Sequence, residues 1–387
     1  MNAFDFELRT RIVFGRQRID DLGEFAAQLR ARRALVVSDP GIVEAGHTER
    51  GCAALRTCGI EWQVFDGVHE NPTTEDVAAG RQLAEQFRPD LIVGLGGGSS
   101  MDCAKGINFL HTGGGEMQDY QGVGRATQEM LPMIAIPTTA GTGSEAQSFA
   151  LISDAQTDEK MACGDKKASF RIALLDPELT LTQPPRITAL TGIDALAHAV
   201  ESYVSKRRNP VSTAFSREAW RLLSAHFPQV LDEPENLSAR AGMQLGACFA
   251  GLAIENSMLG AAHALANPLT AKCGVPHGEA VGMMLPHVVR FNGTHHDGWY
   301  GELLEFASGT NGHRPATGNI DGNADQLATW VATQTQRAGL AGRLADCGIR
   351  EQQLAELAEG AAQQWTGQFN PRQVDVATLL ELYRQAL

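Results

Sequence analysis

The sequence predicts an α/β fold in which an N-terminal domain built on a parallel sheet is followed by an all-helical C-terminal domain. The length of 387 residues exceeds what one ordinary hydrophobic core holds, so two domains are expected. Short runs rich in Val, Ile and Leu alternate with amphipathic stretches in the first half, as in parallel sheets covered by helices on both faces. Long Ala-rich stretches with helical period fill the second half. The Pro184–Pro185 step is the predicted boundary, which gives domains 1–184 and 185–387.

The individual elements follow from apolar runs and from the turn residues that end them. Five strands are predicted in the first domain: Arg33–Asp39, Glu61–Phe65, Asp90–Leu95, Met133–Pro137 and Ile172–Asp176. The helices predicted between them are Ile19–Arg30, Thr48–Cys58, Thr74–Phe87 and Asp102–Leu110. The helices predicted in the second domain are Leu190–Val204, Ser212–Ala225, Ser238–Asn256 and Gly260–Leu269. The stretch Ala307–Asn323 is rich in Gly, Asn and Thr and is predicted to be an exposed loop.

Composition excludes several classes of protein. A hydrophobic content of 43% with 20% charged residues is typical of a soluble globular protein. The net charge of −13 argues against nucleic-acid and membrane-surface partners, because both require a positive patch. Seven scattered cysteines without a C-x-x-C pattern suit a reducing compartment. The first residues resemble neither a signal nor a transit peptide, and we expect no membrane-spanning run of ~20 apolar residues. The expected location is the cytoplasm.

A glycine-rich turn between a predicted strand and a predicted helix is the first candidate binding site. Residues 91–105 read LIVGLGGGSSMDCAK, and Gly96, Gly97 and Gly98 let the backbone approach a ligand closely. Amide groups at a helix N-terminus hold a pyrophosphate well, so phosphate binding is favoured over a plain glycine turn. The spacing is not G-x-G-x-x-G, because Ser99 stands at the last position. The turn also follows the third predicted strand, which argues against a plain Rossmann dehydrogenase.

A second candidate loop, IPTTAGTGSE at residues 136–145, follows another buried strand. Its hydroxyl-bearing residues are Thr138, Thr139, Thr142 and Ser144, and their density favours a ligand-facing loop over a polar turn. Asp39 ends the strand Arg33–Asp39, where a carboxylate can accept a hydrogen bond from a ribose 2′-OH and repel a 2′-phosphate. Asp39 could equally start a turn before Pro40, and its residue type leaves both interpretations open.

Four residues in the second domain form a candidate metal site. Asp194 and His198 are four residues apart in TGIDALAHAVESYV, so they share a face of the predicted helix. His263 lies in GAAHALANP, and His277 lies fourteen residues later in GVPHGEAVG. One carboxylate and three imidazoles suit Fe²⁺ or Zn²⁺. Each histidine alone would more simply be a structural residue, and spacing alone leaves the choice open.

These segments together resemble the iron-containing (group III) alcohol dehydrogenases. The resemblance rests on GGGSSMDCAK, PTTAGTGSE, DPELT and PPRITALTGIDALAHAVESYVS, and it runs from RIVFG near the start to Pro286–His287 with a looser tail. It implies a dehydroquinate synthase-like fold, an NAD(P)-binding α/β domain, a helical metal-binding and substrate domain, a metal in the cleft between them, and a homodimer. It implies hydride transfer between the nicotinamide and a small primary alcohol or aldehyde. NAD is favoured over NADP because of Asp39, and Fe²⁺ is expected with Zn²⁺ possible.

The resemblance also assigns roles to individual positions. The implied metal ligands, which are also catalytic residues, are Asp194, His198, His263 and His277. The implied cofactor contacts are Asp39, Asn71, Gly97, Gly98, Ser99, Asp102, Thr138, Thr139, Thr142 and Lys160.

One position departs from the family pattern and bears on the reaction. Many members have HAMAHPLG after the third ligand, whereas this chain has HALANPLTA, so Asn267 replaces a second histidine and is a candidate catalytic residue. Asparagine can hydrogen-bond but cannot exchange a proton at neutral pH. A transhydrogenase of the hydroxyacid-oxoacid type with a retained cofactor, a glycerol dehydrogenase-like enzyme and a sugar-phosphate cyclase remain alternative activities. A nucleotide-binding sensor without catalysis is the non-enzymatic alternative.

Overall fold

The computed structural model describes residues 3–157, 159–308 and 322–387, and the chain forms two compact units. One unit is Glu7–Gln183, and the other consists of residues 3–6 with the described part of Pro184–Leu387. Most of the predicted loop Ala307–Asn323 lies outside the described residues.

The first unit is built on a six-stranded parallel sheet. Its described strands, numbered along the chain together with those of a smaller sheet, are β1 (Arg11–Phe14), β2 (Arg33–Val37), β3 (Glu61–Phe65), β4 (Leu91–Gly96), β5 (Gly122–Val123), β6 (Met133–Pro137), β7 (Phe149–Ser153), β8 (Lys160–Gly164) and β9 (Ile172–Leu175). The large sheet has the order β1-β9-β6-β4-β2-β3, and every pair in it is parallel. The small sheet has the order β5-β8-β7, with β7 and β8 antiparallel. The predicted parallel sheet and its five strands are confirmed.

The strand order creates a switch point between β2 and β4. The chain runs from β2 outward to β3 and then returns to the other side of β2 as β4, after which it continues to β6 and β9. In open parallel sheets, ligands bind outside the carboxyl ends of the strands at such a reversal. Asp39 follows β2 and Gly97 follows β4, so the candidate residues of these two loops lie at this edge of the sheet.

Helices cover the sheet. The described α-helices of this unit are α1 (Leu22–Gln28), α2 (Pro40–Glu44), α3 (His47–Thr57), α4 (Thr74–Phe87) and α5 (Gly98–Gly113). Residues of α1 and α3, such as Leu22 and Leu55, pack with Val36 and Val93 of the central strands in a fully buried core. The α5 helix begins at Gly98, four residues before the predicted start, with Gly97 at its N-cap and Gly96 at the end of β4.

The described secondary-structure elements of the second unit are all helices, which confirms the all-helical prediction. Its described α-helices are α6 (Pro185–Val204), α7 (Pro210–Asp232), α8 (Leu237–Asn256), α9 (Ala261–Cys273), α10 (His277–Ser308, kinked at His296), α11 (Asn323–Arg337), α12 (Glu351–Ala362) and α13 (Val376–Ala386). Proline at the first position of α6 suits a helix start, where its missing N–H costs nothing.

One described helix, α8, is long and apolar enough to cross a membrane by length and composition alone. It is not a continuous run of apolar residues, because Arg240 and Glu255 lie within it. In this chain 72% of the apolar window of α8 is buried, which is the pattern of a core helix. Small residues allow the close packing: a Cβ on Gly246 would lie 2.8 Å from Leu223 of α7.

Candidate active site

The α6 helix supplies the first two members of the candidate metal site. Asp194 and His198 lie one turn apart, and their residues are 6% and 5% exposed. The Nε2 atom of His198 is 3.4 Å from Oδ1 of Asp194. A buried carboxylate is costly without compensating charge, so this arrangement requires positive partners around Asp194.

The α9 helix brings in the third member. His263 is the third residue of this helix and is 3% exposed, and its Nε2 lies 3.2 Å from the same Oδ1 of Asp194. Its ring stacks on that of His198 with centroids 4.9 Å apart and an interplanar angle of 21°. Two imidazoles therefore converge on one carboxylate oxygen from neighbouring directions.

The first residue of α10 completes the set. His277 Nε2 is 3.7 Å from Oδ1 of Asp194, and its side chain is 28% exposed. The start of α10 can come this close because the next residue is a glycine: a Cβ on Gly278 would lie 2.1 Å from the carbonyl oxygen of Leu190 in α6. The exposed edge of His277 leaves one side of the cluster open to solvent.

The geometry fits a divalent cation. Ligand atoms at about 2.0–2.2 Å from a tetrahedral ion lie roughly 3.3–3.6 Å apart. The separations from Asp194 Oδ1 to the three imidazoles, 3.2, 3.4 and 3.7 Å, bracket this range. The ligand atoms of Asp194, His263 and His277 also lie within 4.8 Å of one another. The cluster thus combines the donor types and spacing of an iron or zinc site.

The charges of the cluster are strongly coupled. Burial by itself would raise the pKa of the Asp194 carboxyl, but the imidazoles of His198, His263 and His277 hold that pKa well below its usual range. Burial opposes protonation of His263, yet the carboxylates of Glu201 and Asp194 raise its pKa to about 9. Asp194 is therefore held in the anionic form that a cation requires.

Glu201 is a residue of this cluster that the sequence analysis missed. It is 3% exposed, and its Oε2 lies 2.5 Å from Nδ1 of His263. The sequence did contain a signal, because Glu201 follows Asp194 by seven residues and His198 by three, on the same helical face.

Asn267 lies one turn after His263 on α9 and is partly buried. Its Nδ2 donates to Oε1 of Gln364 at 2.8 Å. The amide is therefore held by a second amide, and neither group exchanges protons at neutral pH. A catalytic role of Asn267 stays a prediction.

The predicted nucleotide residues at the sheet edge lie in facing loops. Asp39 caps α2 by accepting the N–H of Ile42 at 3.1 Å, and its other oxygen accepts the hydroxyl of Ser100 at 3.2 Å. The structure thus shows Asp39 starting a turn before Pro40, with its carboxylate against Ser100 in the first turn of α5. Its contact with a ribose stays a prediction.

The two loops pack closely because the first carries no side chains. A Cβ on Gly98 would lie 2.7 Å from the side chain of Thr142, and a Cβ on Gly97 would lie 3.4 Å from that of Thr139. Gly97, Gly98 and Ser99 are partly exposed, and the α5 helix has no side-chain cap at Gly97. Uncapped amides at a helix N-terminus form a ready anion site, which fits a pyrophosphate.

Two of the predicted nucleotide residues have their polar groups turned into the protein. The Thr138 hydroxyl is buried without a hydrogen-bond partner among the described residues, while its N–H donates to the carbonyl of Gly96 at 2.9 Å. Asp102 is 8% exposed and accepts from the Ser144 hydroxyl at 2.5 Å and from the Leu151 N–H at 3.2 Å. Direct nucleotide contacts of these side chains stay predictions.

Asp102 belongs to a buried network that ties the second loop to α5. Lys105, one turn later, is fully buried and lies 3.4 Å from Asp102 Oδ1. Its ammonium also donates to the hydroxyl and carbonyl of Ser144 at 2.7 and 2.9 Å, and to the carbonyl of Phe149 at 2.6 Å. The sequence analysis did not assign Lys105 a role, because its partners lie about forty residues away in the chain.

Asn71 and Lys160 are brought together by the structure. Lys160 Nζ donates to Asn71 Oδ1 at 3.2 Å, and Asn71 has a positive φ of 55°. Asparagine tolerates this left-handed conformation better than most residues. Lys160 is exposed, so the pair is accessible.

Comparison with known proteins gives matches along nearly the whole chain. Residues 9–177 match the model of the family described as iron-containing alcohol dehydrogenase, and residues 188–387 match the C-terminal model of the Fe-containing alcohol dehydrogenase family. The 1,3-propanediol dehydrogenase of Citrobacter freundii is 34% identical over 390 residues, which covers 99% of this chain and 98% of that protein. The NAD-dependent methanol dehydrogenase of Bacillus methanolicus is 32% identical and covers 97% of each chain.

A solved structure gives the same assignment. The crystal structure of a 1,3-propanediol oxidoreductase is similar with a TM-score of 0.94 and 32% identity, and the match covers 100% of both chains. Since the family models and these relatives match nearly the full length, the chain belongs to the iron-containing alcohol dehydrogenase family, whose members carry out metal-dependent oxidoreduction of alcohols and aldehydes.

Proposed function

We propose that this chain transfers a hydride between NAD and a small primary alcohol or its aldehyde, with a divalent cation held by Asp194, His198, His263 and His277. The observation that carries the proposal is the convergence of three imidazole nitrogens on one buried oxygen, Asp194 Oδ1. Histidines that merely fill a core have no need to place their ring nitrogens around one carboxylate oxygen, whereas the donor atoms of a single metal ion must lie within a few ångströms of one another.

The residues of the chain divide the work at this centre. When bound, a divalent cation would supply Lewis acidity toward an alcohol or carbonyl oxygen, and NAD would supply the nicotinamide that exchanges the hydride. Asp194, His198 and His263 exclude water by their burial, while the partly exposed His277 lies on the side from which a small molecule can approach. Fe²⁺ is the proposed ion because of the family, and Zn²⁺ accepts the same donors.

Asn267 is proposed to orient the substrate instead of moving its proton. Its side chain shares the helix face of His263 and is fixed by Gln364, so it offers a placed amide one turn from a ligand. The hydroxyl proton of an alcohol would then leave through water or a ribose hydroxyl.

NAD is proposed over NADP because of Asp39. Its carboxylate lies at the carboxyl end of β2, beside the loop after β4, as its contact with Ser100 shows. A carboxylate at this place favours a free 2′-OH and repels a 2′-phosphate. The other proposed nucleotide contacts are Asn71, Gly97, Gly98, Ser99, Asp102, Thr138, Thr139, Thr142 and Lys160. Residues 1–184 are proposed as the nucleotide-binding domain and 185–387 as the metal-binding and substrate domain.

The substrate class follows from the relatives by similarity. The names of the matched proteins refer to 1,3-propanediol and methanol, which are small primary alcohols. We extend this class to the present chain, and we propose a homodimer in the cytoplasm without nucleic-acid or membrane partners.

The experiment is a panel of short aldehydes with NADH or NADPH, after removal of metal and reconstitution with Fe²⁺ or Zn²⁺. The expected result is metal-dependent turnover with a preference for NADH. His263→Ala should lose metal and turnover together, while His226→Ala, at a partly buried histidine outside the cluster, should retain both. Full activity of the His263→Ala variant in chelator-treated buffer would contradict the proposal. Turnover only when an alcohol and an aldehyde are supplied together would instead indicate a transhydrogenase with retained cofactor.

A further inference from the structure

Glu201 contacts both the first turn of α9 and the ring of His263, a candidate metal ligand. Its Oε1 accepts the backbone N–H of Ala262 at 2.7 Å, and its Oε2 lies 2.5 Å from Nδ1 of His263. The approach depends on the residue before the helix: a Cβ on Gly260 would lie 2.9 Å from Glu201 Oε1. The carboxylate is therefore enclosed at a defined place, 3% exposed.

The chemistry of the carboxylate determines which nitrogen of His263 carries the hydrogen. An imidazole that ligates a metal ion is neutral and has one ring hydrogen. Because a carboxylate accepts hydrogen bonds, that hydrogen lies on Nδ1, beside Glu201, when an ion is bound. The lone pair of the ring then lies on Nε2, which is the atom 3.2 Å from Asp194 Oδ1. Histidines that ligate metals are commonly oriented in this way through their other ring nitrogen.

The charge of Glu201 is also consistent with a cation nearby. Glu201 and Asp194 are both buried, and each lies against the ring of His263. Two buried carboxylates would be neutralised by one divalent ion, which lowers the cost of burying them. The N-terminus of α9 adds a favourable partial positive charge at the Glu201 end.

We propose that Glu201 is a positioning residue of the metal centre: it fixes the tautomer and the orientation of His263 so that Nε2 is available as a ligand. This inference rests on the proposed function, since it presumes that His263 binds the cation. Glu201 is not among the residues whose ligand atoms cluster within 4.8 Å, which are Asp194, His263 and His277, and its two oxygens contact Ala262 and His263.

The alternative is that Glu201 only caps the N-terminus of α9. Asn370, which caps the same helix, provides a matched control for that role. Asn370 Oδ1 accepts the N–H of Ala261, the preceding residue, at 3.3 Å, and also accepts from Asn292 at 3.0 Å. Asn370 is 1% exposed and caps the same helix turn. Loss of Asn370 therefore tests the cap without removing the carboxylate at His263.

The test measures Co²⁺ binding to the full chain by competition with a chromophoric chelator, together with the visible absorption of the bound ion. Glu201→Gln replaces the carboxylate by an uncharged amide with one acceptor oxygen, so Nδ1 of His263 either loses its acceptor or is held by a weaker, uncharged one. We expect a 10- to 100-fold loss of Co²⁺ affinity and an altered absorption spectrum. Asn370→Ala should lower the thermal midpoint but keep the affinity and the spectrum of the unsubstituted chain.

Different outcomes separate this inference from the proposed function. If the unsubstituted chain binds Co²⁺ and Glu201→Gln binds it with the same affinity and spectrum, the positioning role of Glu201 is overturned. The proposed metal centre would still stand. Failure of the unsubstituted chain to bind Co²⁺ would overturn both. If Glu201→Gln does not fold, Glu201→Asp replaces it: the shortened carboxylate cannot reach both donors, and unchanged affinity in that variant would again overturn the positioning role.

Discussion

The candidate site of the α/β unit consists mainly of backbone groups, whereas that of the helical unit consists of side chains. In the α/β unit the sheet edge offers backbone groups and short side chains: Gly97, Gly98 and Ser99 are partly exposed, and Thr139 and Thr142 face the glycines. In the helical unit the cluster around Asp194 consists of titratable side chains that are buried except for the partly exposed His277. The glycine loop requires the absence of side chains, whereas the cluster around Asp194 requires side chains that are held in place by their neighbours.

This difference determines how each region responds to substitution. A backbone site is damaged when atoms are added, because a new Cβ meets the facing loop. A buried polar cluster is damaged when a group is removed, because its partners remain in a medium of low dielectric constant without compensation. The helical site also depends on glycine, for example at Gly278 and Gly260, where an added Cβ would meet the Leu190 carbonyl and the Glu201 carboxylate.

The largest effect is expected when the negative charge at the centre of the cluster is removed. Asp194→Asn keeps the size of the side chain but leaves three imidazoles around a neutral amide. We expect Fe²⁺ or Zn²⁺ affinity to fall at least ~1000-fold, about 4 kcal/mol. Isothermal titration with metal measures this change. Asp232→Asn, at an exposed ion pair with Arg337, is the control and should bind metal normally.

A second prediction tests whether the buried polar network around Lys105 stabilises the α/β unit that carries the glycine loop. Lys105→Met removes the ammonium that holds Asp102, Ser144 and the Phe149 carbonyl. Breaking a buried pair by removing one partner costs about 3–5 kcal/mol. Urea unfolding should show a loss of this order.

The matched control for Lys105→Met is an exposed lysine. Lys272 lies 2.6 Å from Glu356 with its side chain 45% exposed, and pairs of this kind contribute less than about 1 kcal/mol. Equal destabilisation by Lys272→Met and Lys105→Met would show that the buried network adds nothing to the support of the loops.

The same contrast explains which parts of the fold the sequence predicts. Four of the five predicted strands (β2, β4, β6 and β9) are largely continuous apolar runs, as buried parallel strands require. The fifth, β3, lies at the sheet edge and alternates exposed and partly buried positions. β1 was not predicted because it has four residues at the sheet edge with partly exposed side chains. The β7–β8 pair was not predicted because its exposed positions interrupt the apolar pattern. Strands that depend on tertiary pairing give weak local signals.

The sites are predictable to a similar degree. Asp194 and His198 show a helical spacing, and the family motifs add His263 and His277. Contacts between segments distant in the chain leave no local signal in the sequence. The hydrogen bond of Lys105 to Ser144 and the close approach of Gly278 to the Leu190 carbonyl could therefore be identified only from the structure. Glu201 had a signal in its spacing, but an acidic residue on a helix is usually solvated.

A third prediction adds one methyl group to the helical site. Gly278→Ala places a Cβ against the carbonyl of Leu190, which belongs to the backbone and cannot rotate away. The start of α10 must shift, and His277 moves with it. Overpacking of this kind costs about 1–3 kcal/mol. Thermal unfolding and metal titration should both show a loss, whereas Gly342→Ala, with open space around its Cβ, should show neither.

The smallest effect is expected from a methyl group in the glycine loop, where two adjacent positions differ. A Cβ on Gly98 would lie 2.7 Å from Thr142, while one on Gly97 would make an ordinary contact of 3.4 Å with Thr139. Gly98→Ala should therefore lower the free energy of unfolding by about 1 kcal/mol. Gly97→Ala should change it by less than about 0.5 kcal/mol.

Nucleotide titration of the same two variants then separates packing from binding. If the backbone at Gly97 approaches the pyrophosphate, Gly97→Ala weakens NADH binding although the fold is undisturbed, because the added methyl group occupies space that the ligand requires. Unchanged NADH affinity in Gly97→Ala would show that the glycines serve the contact with Thr139 and Thr142 alone. In that case the glycines of the α/β unit would serve to pack its two loops together, and the backbone there would not bind the nucleotide.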